Sequence, residues 1–150
     1  MAEARDLMDQ LTKVALEARD LDGAARFFAD DVIAMTPDLG QIQGRERLTT
    51  YMRQFLEAFP DAGYESVHAF ESGNAAIDIG YYIGTNTGPL VLPSGESVPA
   101  TGRTLRLRSC EVGIVEAGLI TQYEFYFDQL EMIGQLGLLP DGANLSGQTD

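Results

Sequence analysis

The stretch LITQYEFYFD, residues 119–128, decides the fold, because its side chains alternate with the period of two that is typical of a β-strand. Positions 123, 125 and 127 are aromatic, whereas the even-numbered positions mix Ile120 and Tyr126 with Gln122, Glu124 and Asp128. An antiparallel sheet with one face in water would alternate more cleanly between apolar and polar side chains. Both faces of this strand are therefore predicted to be covered, one by helices that enclose a pocket and the other by a second copy of the chain.

The rest of the second half also has the pattern of strands. Residues 75–84 and 104–108 alternate in the same way, and Glu116-Ala117-Gly118 is predicted to be the hairpin turn before the last strand. Residues 130–136 are predicted to form a closing helix that ends at Gly137. Residues 88–102, rich in proline and glycine, are predicted to be a loop.

The first half is predicted to be mostly helical. Leu7, Leu11 and Val14 recur at a spacing of three and four, which marks an amphipathic helix, and Asp22 is a candidate N-cap for a second one. The predicted elements are helices at residues 2–20, 23–29 and 45–59 and a strand at residues 31–35.

Amphipathic helices combined with a sheet predict an α+β fold. The chain has 150 residues, close to the commonest size of one domain, so a single core is expected. We assign residues 1–140 to this domain and predict that the polar residues 141–150 form a disordered tail.

The charge excludes two classes of partner. Asp and Glu total 23 against 10 Lys and Arg, and the formal net charge of −13 repels nucleic-acid phosphates and anionic membranes. The first residues lack the basic and apolar character of a signal peptide, and no run of about 18 apolar residues occurs. The single cysteine allows no internal disulfide. We expect a cytoplasmic protein.

Asp128 and Glu124 are the candidate catalytic groups. They lie four apart on the last strand and hence on one face, and desolvation in an apolar cavity would raise the pKa of each carboxyl towards the range useful to a general base. In the alternative interpretation, Asp128 caps the closing helix by accepting from the backbone N–H of Glu131 or Met132.

Other polar residues receive no catalytic role. Glu111 is left unassigned because the hairpin register is open, and Arg106 and Arg108 are interpreted as a solvated edge or as salt-bridge partners. The lone His68 has no cysteine or second histidine near it in the sequence, so no metal site is predicted. No nucleotide or flavin motif occurs, and no cofactor is expected.

Several strings, taken in order, resemble the SnoaL-like polyketide cyclases, which have a nuclear-transport-factor-like α+β cone fold. They are FADDV at 28–32, AFPD at 58–61, GTNTG at 84–88, TGR at 101–103 and the stretch from Gly118 through Asp128 to Gly137. The resemblance covers roughly residues 5–140. It implies a curved antiparallel sheet wrapped by the N-terminal helices around a deep apolar pocket, with oligomers formed through the outer face of the sheet.

The resemblance also implies a function. In such cyclases an aspartate at the end of the last strand, where Asp128 stands, is the acid/base of an aldol ring closure that needs neither metal nor organic cofactor. The substrate is then an apolar, polyketide-like carbonyl compound. The residues assigned to its pocket are Tyr51, Phe55, Tyr82, Asn86, Gln122 and Tyr126. Double-bond isomerisation, epoxide opening, a cycloaddition or binding without catalysis remain alternatives.

Overall fold

The computed structural model describes residues 3–139, so the predicted tail at 141–150 lies outside the described residues. Its helices are α1 (Glu3–Thr12), α2 (Leu21–Ala25), α3 (Arg45–Ala58) and α4 (Gln129–Gln135), and α1 continues into a π-helical turn at Lys13–Glu17. Its strands are β1 (Phe28–Thr36), β2 (Gly40–Gln43), β3 (Gly63–Ser72), β4 (Ala75–Thr85), β5 (Leu90–Val91), β6 (Ser97–Val98), β7 (Thr104–Glu116) and β8 (Leu119–Phe127).

Six strands form one open, curved sheet in the order β2-β1-β8-β7-β4-β3, and β5 pairs only with β6. The predicted α+β class is confirmed. One neighbouring pair, β1 with β8, is parallel, so the sheet is mixed and not wholly antiparallel. The chain reaches this arrangement because α2 and β1 precede the other strands and β8 returns beside β1 at the end.

The hairpin between β7 and β8 is built as predicted. Glu116 pairs with Leu119, which leaves Ala117 and Gly118 as a two-residue turn with positive φ angles of 51° and 79°. Such a turn matches the right-handed twist of the strands that it joins.

The N-terminal elements differ from the prediction in their bounds. The N-cap of α2 is Asp20, whose side chain accepts from the backbone N–H of Gly23, and not Asp22. Phe28 lies in β1 and not in a helix. Residues 63–72, for which no strand was predicted, form β3, since an edge strand with mostly exposed side chains shows little hydrophobic alternation.

The helices α1 and α3 cover the inner face of the sheet, where the core lies. Close approach of α1 depends on Gly113 in β7, because a Cβ at this position would lie 2.4 Å from the Sδ atom of Met8. Met8 is 1% exposed and packs in the core. α1 is thus held directly over the C-terminal half of β7.

None of the helices within residues 3–139 is long and apolar enough to cross a membrane.

Candidate active site

A pocket lies between the inner face of the sheet, the π-helical turn and the helices α1 and α3. The space between these elements, counted together with the open solvent at its mouth, is about 640 Å³. Its wall is mostly apolar and aromatic, with Glu111 as its one carboxylate, and consists of Leu11, Thr12, Ala15, Leu16, Tyr51, Met52, Phe55, Leu56, Tyr64, Tyr82, Glu111, Tyr123 and Phe125. Such a mostly apolar cavity with a few convergent polar groups is typical of small-molecule sites.

The aromatic wall is held by edge and tilted ring contacts centred on Phe55 of α3. Its ring centroid lies 5.3 Å from that of Tyr51 and 5.6 Å from that of Tyr82. Tyr82 in turn contacts Phe125 of β8 at 6.2 Å. These contacts join α3 to β4 and β8 and fix the shape of the pocket.

Glu111 reaches the pocket because β7 alternates. Three residues of β7 with the same parity as Glu111 are buried on the inner face: Leu107, Ser109 and Gly113. Glu111 is therefore directed inwards and lines the pocket. Its Oε1 atom accepts a hydrogen bond from the Tyr123 hydroxyl, which β8 supplies from the neighbouring strand.

The surroundings of Glu111 raise its pKa from 4.5 to about 7. Burial is the largest cause, since the charged carboxylate is poorly solvated in an apolar pocket. The hydrogen bond from Tyr123 lowers the pKa, Asp78 raises it, and Arg5 lowers it. At neutral pH this carboxyl is therefore present in both protonation states.

The tyrosines around Glu111 are neutral hydrogen-bond donors. Burial, followed by the negative charge of Glu111, raises the pKa of Tyr123 well above its usual value. Burial also raises the pKa values of Tyr64 and Tyr82. The Tyr64 hydroxyl lies 3.2 Å from the carbonyl oxygen of Ser109, to which it donates.

A second cavity adjoins the first, and Tyr51 and Phe55 line both. It lies beneath β5 and beside α4, where Met132 and Gln129 contribute to its wall. The Tyr51 hydroxyl donates to the Oδ1 atom of Asp38 at 3.0 Å, so this side chain is fixed between the two cavities.

Of the predicted pocket residues, the structure brings Tyr51, Phe55 and Tyr82 together in the wall of the first cavity. It places Gln122, Glu124 and Tyr126 on the opposite, outer face of β8. Tyr126 is 51% exposed and its hydroxyl donates to Glu124 at 2.9 Å.

The prediction that these three residues face the pocket is wrong, because the aromatic odd-numbered side chains occupy the inner face. Tyr123 and Phe125, which alternate with Glu124 and Tyr126, line the pocket. Two carboxylates on one face were the reason for choosing Glu124, but that face is the outer one.

Asp128 is exposed and caps α4. Its Oδ1 atom accepts from the backbone N–H of Glu131 at 3.1 Å, so the predicted capping role is confirmed. Asp128 is not among the residues that line either cavity, although its neighbour Gln129 lines the second.

Asn86 is fully buried but lines neither cavity, so its predicted place in the pocket is wrong. Its Nδ2 atom donates to the carbonyl oxygens of Ala58 and Gly88, and its Oδ1 atom accepts from the backbone and the hydroxyl of Thr101. Asn86 therefore joins the end of α3 to the loop that precedes β7, and its role is structural.

Glu111 is the pocket carboxyl to which the sequence assigned no role. The signal was present, because Glu111 has the same parity as the strongly apolar Leu105 and Leu107 in its own strand. That alternation assigns its face without any knowledge of the hairpin register. Arg106, of the opposite parity, is exposed and forms a salt bridge with Glu65 at 3.1 Å, as predicted for a salt-bridge partner.

Among residues 3–139, no group of three or more His, Cys, Asp or Glu side chains is placed to hold a metal ion.

Comparison with known proteins assigns the chain to a family. Residues 8–123 match the family model described as the SnoaL-like domain. No curated protein matches the chain.

Solved structures share the fold. A protein from Jannaschia sp. CCS1 named as a SnoaL-like polyketide cyclase has a TM-score of 0.79 at 15% identity, over 92% of this chain and 94% of its own. A protein from Streptomyces antibioticus named as a polyketide cyclase has a TM-score of 0.72 at 21% identity, with 89% of this chain and 98% of its own covered. An NTF2-like protein of unknown function from Burkholderia pseudomallei has a TM-score of 0.72 at 23% identity, with 91% and 98% covered. At these identities the similarity shows the fold alone.

Proposed function

This chain belongs to the SnoaL-like family, and we propose that it is a cyclase or isomerase acting on a polyketide-like, apolar carbonyl compound. The observation that carries the proposal is Glu111, a carboxyl with a pKa of about 7 in the wall of an apolar pocket. A general acid–base group works best when its pKa is near the working pH, because it then both accepts and returns a proton.

The proposed reaction begins with proton removal by Glu111. Its carboxylate takes a proton from the carbon next to a substrate ketone, and the electron pair of the broken C–H bond forms an enolate. The neutral hydroxyl of Tyr82, in the same wall, is a suitable donor to the enolate oxygen.

Two outcomes follow from the same enolate. In a ring closure, the enolate carbon bonds to a second carbonyl carbon, whose oxygen receives the proton back from Glu111. In an isomerisation, the proton returns to another carbon of the substrate. Each route returns the proton that Glu111 removed, so neither needs an added oxidant, reductant or cofactor.

The substrate should be largely apolar. The wall of the pocket is formed by Leu11, Met52, Leu56 and aromatic rings, and the neighbouring cavity past Phe55 is also lined by apolar side chains. Burial of such a substrate contributes about 25 cal/mol for each Å² of apolar surface removed from water.

Asp128 is the second candidate for the acid–base group. It lies at the end of β8, next to Gln129 in the wall of the second cavity. A cap and a base are compatible roles, since Oδ1 accepts from Glu131 and the second oxygen of the carboxylate remains for another partner.

Exchange at carbon tests the chemistry without knowledge of the natural substrate. The probe is an apolar aryl ketone deuterated at its α-carbon, and loss of deuterium is followed by ¹H NMR. Replacing the general base should lower the rate by about 10²-fold or more. We expect this loss for Glu111→Gln, and wild-type rates for Glu124→Gln, a matched carboxylate variant on the outer face.

The outcomes distinguish three interpretations: Glu111 as the base, Asp128 as the base, and binding without catalysis. Loss of exchange in Asp128→Asn with retention in Glu111→Gln would move the acid–base centre to the end of β8. An unchanged rate in both variants would contradict proton abstraction by either carboxyl. Ketone binding with no exchange above background in the wild type would favour a binding domain.

The outer face of the sheet supports the expected homo-oligomer. Its exposed apolar side chains include Ile33, Met35, Ile79 and Tyr126, from three strands of one surface. A second copy would cover this face, and light scattering after gel filtration measures the mass. Met35→Glu should dissociate the oligomer, whereas Leu39→Glu, outside the sheet strands, should not.

A cytoplasmic location stays a prediction, which cell fractionation tests.

A further inference from the structure

Two carboxyl groups face each other beneath α1. Asp78 of β4 and Glu111 of β7 are direct cross-strand partners in the antiparallel ladder. Both point to the inner face, and Asp78 is only 7% exposed. Side chains of such a pair have Cβ atoms about 4.5–5.5 Å apart, so the charge of one acts directly on the other.

Asp78 has a counter-ion from a different part of the chain. The Nη2 atom of Arg5, in α1, lies 2.7 Å from the Oδ2 atom of Asp78, and the Arg5 side chain is 16% exposed. Arg5 also contacts Asp9, at 2.8 Å, on the outer side of α1, where the Asp9 side chain is 54% exposed. Packing of Met8 against Gly113 holds this part of α1 against the sheet.

Titratable and charged groups lie near Glu111 on the strands and helices packed around it. β8 contributes Tyr123, β3 contributes Tyr64, β4 contributes Tyr82 and Asp78, α3 contributes Tyr51, α1 contributes Arg5, and Cys110 is adjacent in β7. Burial raises the pKa values of the tyrosines and of Cys110, so all are neutral near pH 7. Asp78 and Arg5 are therefore the full charges that act on Glu111 in this set.

We propose that Arg5 and Asp78 are a positioning pair that sets the protonation state of Glu111 and with it the pH range in which the pocket works. Asp78 favours the protonated form of Glu111 by repulsion, and Arg5 limits that repulsion by neutralising Asp78. Neither residue lines the pocket. The consequence for turnover rests on the proposed function, whereas the effect on Glu111 itself does not.

The two members of the pair should act in opposite directions. Asp78→Asn removes the repulsion and leaves the positive charge of Arg5, so the pKa of Glu111 should fall. Arg5→Gln leaves Asp78 without its counter-ion. The repulsion between the two facing carboxylates then increases, so the higher of the two apparent pKa values of the pair should rise. Unit charges about 6 Å apart at an effective dielectric constant of about 20 give a shift of about two pKa units.

The double variant gives the sharpest result. Arg5→Gln combined with Asp78→Asn removes both charges, and the pKa of Glu111 should return to between the two single-variant values. Loss of packing alone would not produce shifts of opposite sign that cancel on combination.

The experiment follows the side-chain carboxyl carbons by ¹³C NMR through a pH titration of the full chain, and it needs no substrate. The Glu111 signal is assigned by its absence in Glu111→Gln. Asp9→Asn is the matched control, since it removes the exposed carboxylate that also contacts Arg5. The pKa of Glu111 in this variant should stay within about 0.3 units of the wild-type value. Arg5→Lys keeps the charge and should keep the wild-type titration.

Shifts of the same sign in both single variants, or shifts below about 0.3 units, would overturn the inference. If Arg5→Gln does not fold, two other variants still decide the inference. The pKa of Glu111 should fall in the isosteric Asp78→Asn and should stay at the wild-type value in Arg5→Lys. The pH profile of deuterium exchange should move with the NMR titration. Opposite NMR shifts without any exchange activity would support the pair and contradict only the proposed function.

Discussion

Glu111→Gln tests how much free energy the poorly solvated carboxyl costs the folded chain. The pKa of Glu111 is raised from 4.5 to about 7, chiefly by burial, whereas in the unfolded chain the carboxyl is in water. Between these values the folded chain binds a proton that the unfolded chain has released. The contribution of this group to stability is therefore fully present below about pH 4.5 and is lost as the pH rises through about 7.

The magnitude follows from the two pKa values. The difference between the two pKa values, at about 1.36 kcal/mol per pKa unit, corresponds to a loss of at most about 3 kcal/mol in the free energy of unfolding between pH 4 and pH 8.5. Glutamine has nearly the same shape and no charge to bury. The stability of Glu111→Gln relative to the wild type should therefore rise over this pH range by about 3 kcal/mol.

Urea denaturation of both proteins at several pH values measures the difference, because pH effects of the other carboxyls cancel between them. Glu116→Gln, at the exposed end of the same strand, is the control. Its stability relative to the wild type should stay within about 0.5 kcal/mol at each pH. A difference between Glu111→Gln and the wild type that does not change with pH would show that Glu111 does not retain its proton on folding, which would also remove the basis of the proposed acid–base role.

Three further substitutions test the surroundings of the pocket. Asn86→Ala leaves several buried backbone groups without partners and should cost more than about 3 kcal/mol in urea denaturation, so that a loss below about 1 kcal/mol would contradict its structural role. Asp128→Ala should lower the free energy of unfolding by about 1 kcal/mol through loss of the cap. Asp128→Asn retains an accepting oxygen and should lie within a few tenths of a kcal/mol of the wild type. Equal losses in the two variants would argue against the cap. Gly88→Ala should lower stability by about 2 kcal/mol or more, because its Cβ would lie 1.8 Å from the carbonyl oxygen of Glu57. Gly134→Ala in α4, whose Cβ would lie 3.4 Å from the Cδ1 atom of Leu139, is its control and should be neutral or stabilising; thermal melts of both variants measure the difference.

Local patterns predicted much of the fold. Alternation at 119–128 predicted β8, the Glu116-Ala117-Gly118 turn predicted the hairpin, and the spacing of Leu7 and Leu11 predicted α1. Each of these features depends on residues close together in the chain. β3 was not predicted, because an edge strand with exposed side chains has no period-two apolar signal.

The side of the sheet that holds the pocket was harder to assign. Alternation divides β8 into two faces but does not say which one the helices cover. Glu124 was therefore assigned to the pocket, although the face with Tyr123 and Phe125 lines it. The larger apolar area of the aromatic side chains favours burial beneath α3, and this preference decides which face of β8 points inwards.

By itself the sequence determined the α+β class, the family resemblance and the final hairpin, because all of these are encoded in short stretches. The helix cap at Asp128 was one of two interpretations of that residue, and the structure confirms it. Only the tertiary structure decided that Glu111 is the carboxyl in the pocket, that Tyr123 donates to it and that Asp78 lies opposite it. Arg5 is 73 residues away from Asp78 in the chain and meets it only after α1 has packed on the sheet. The pKa of Glu111 depends on burial and on charges from separate elements, so no local pattern contains it.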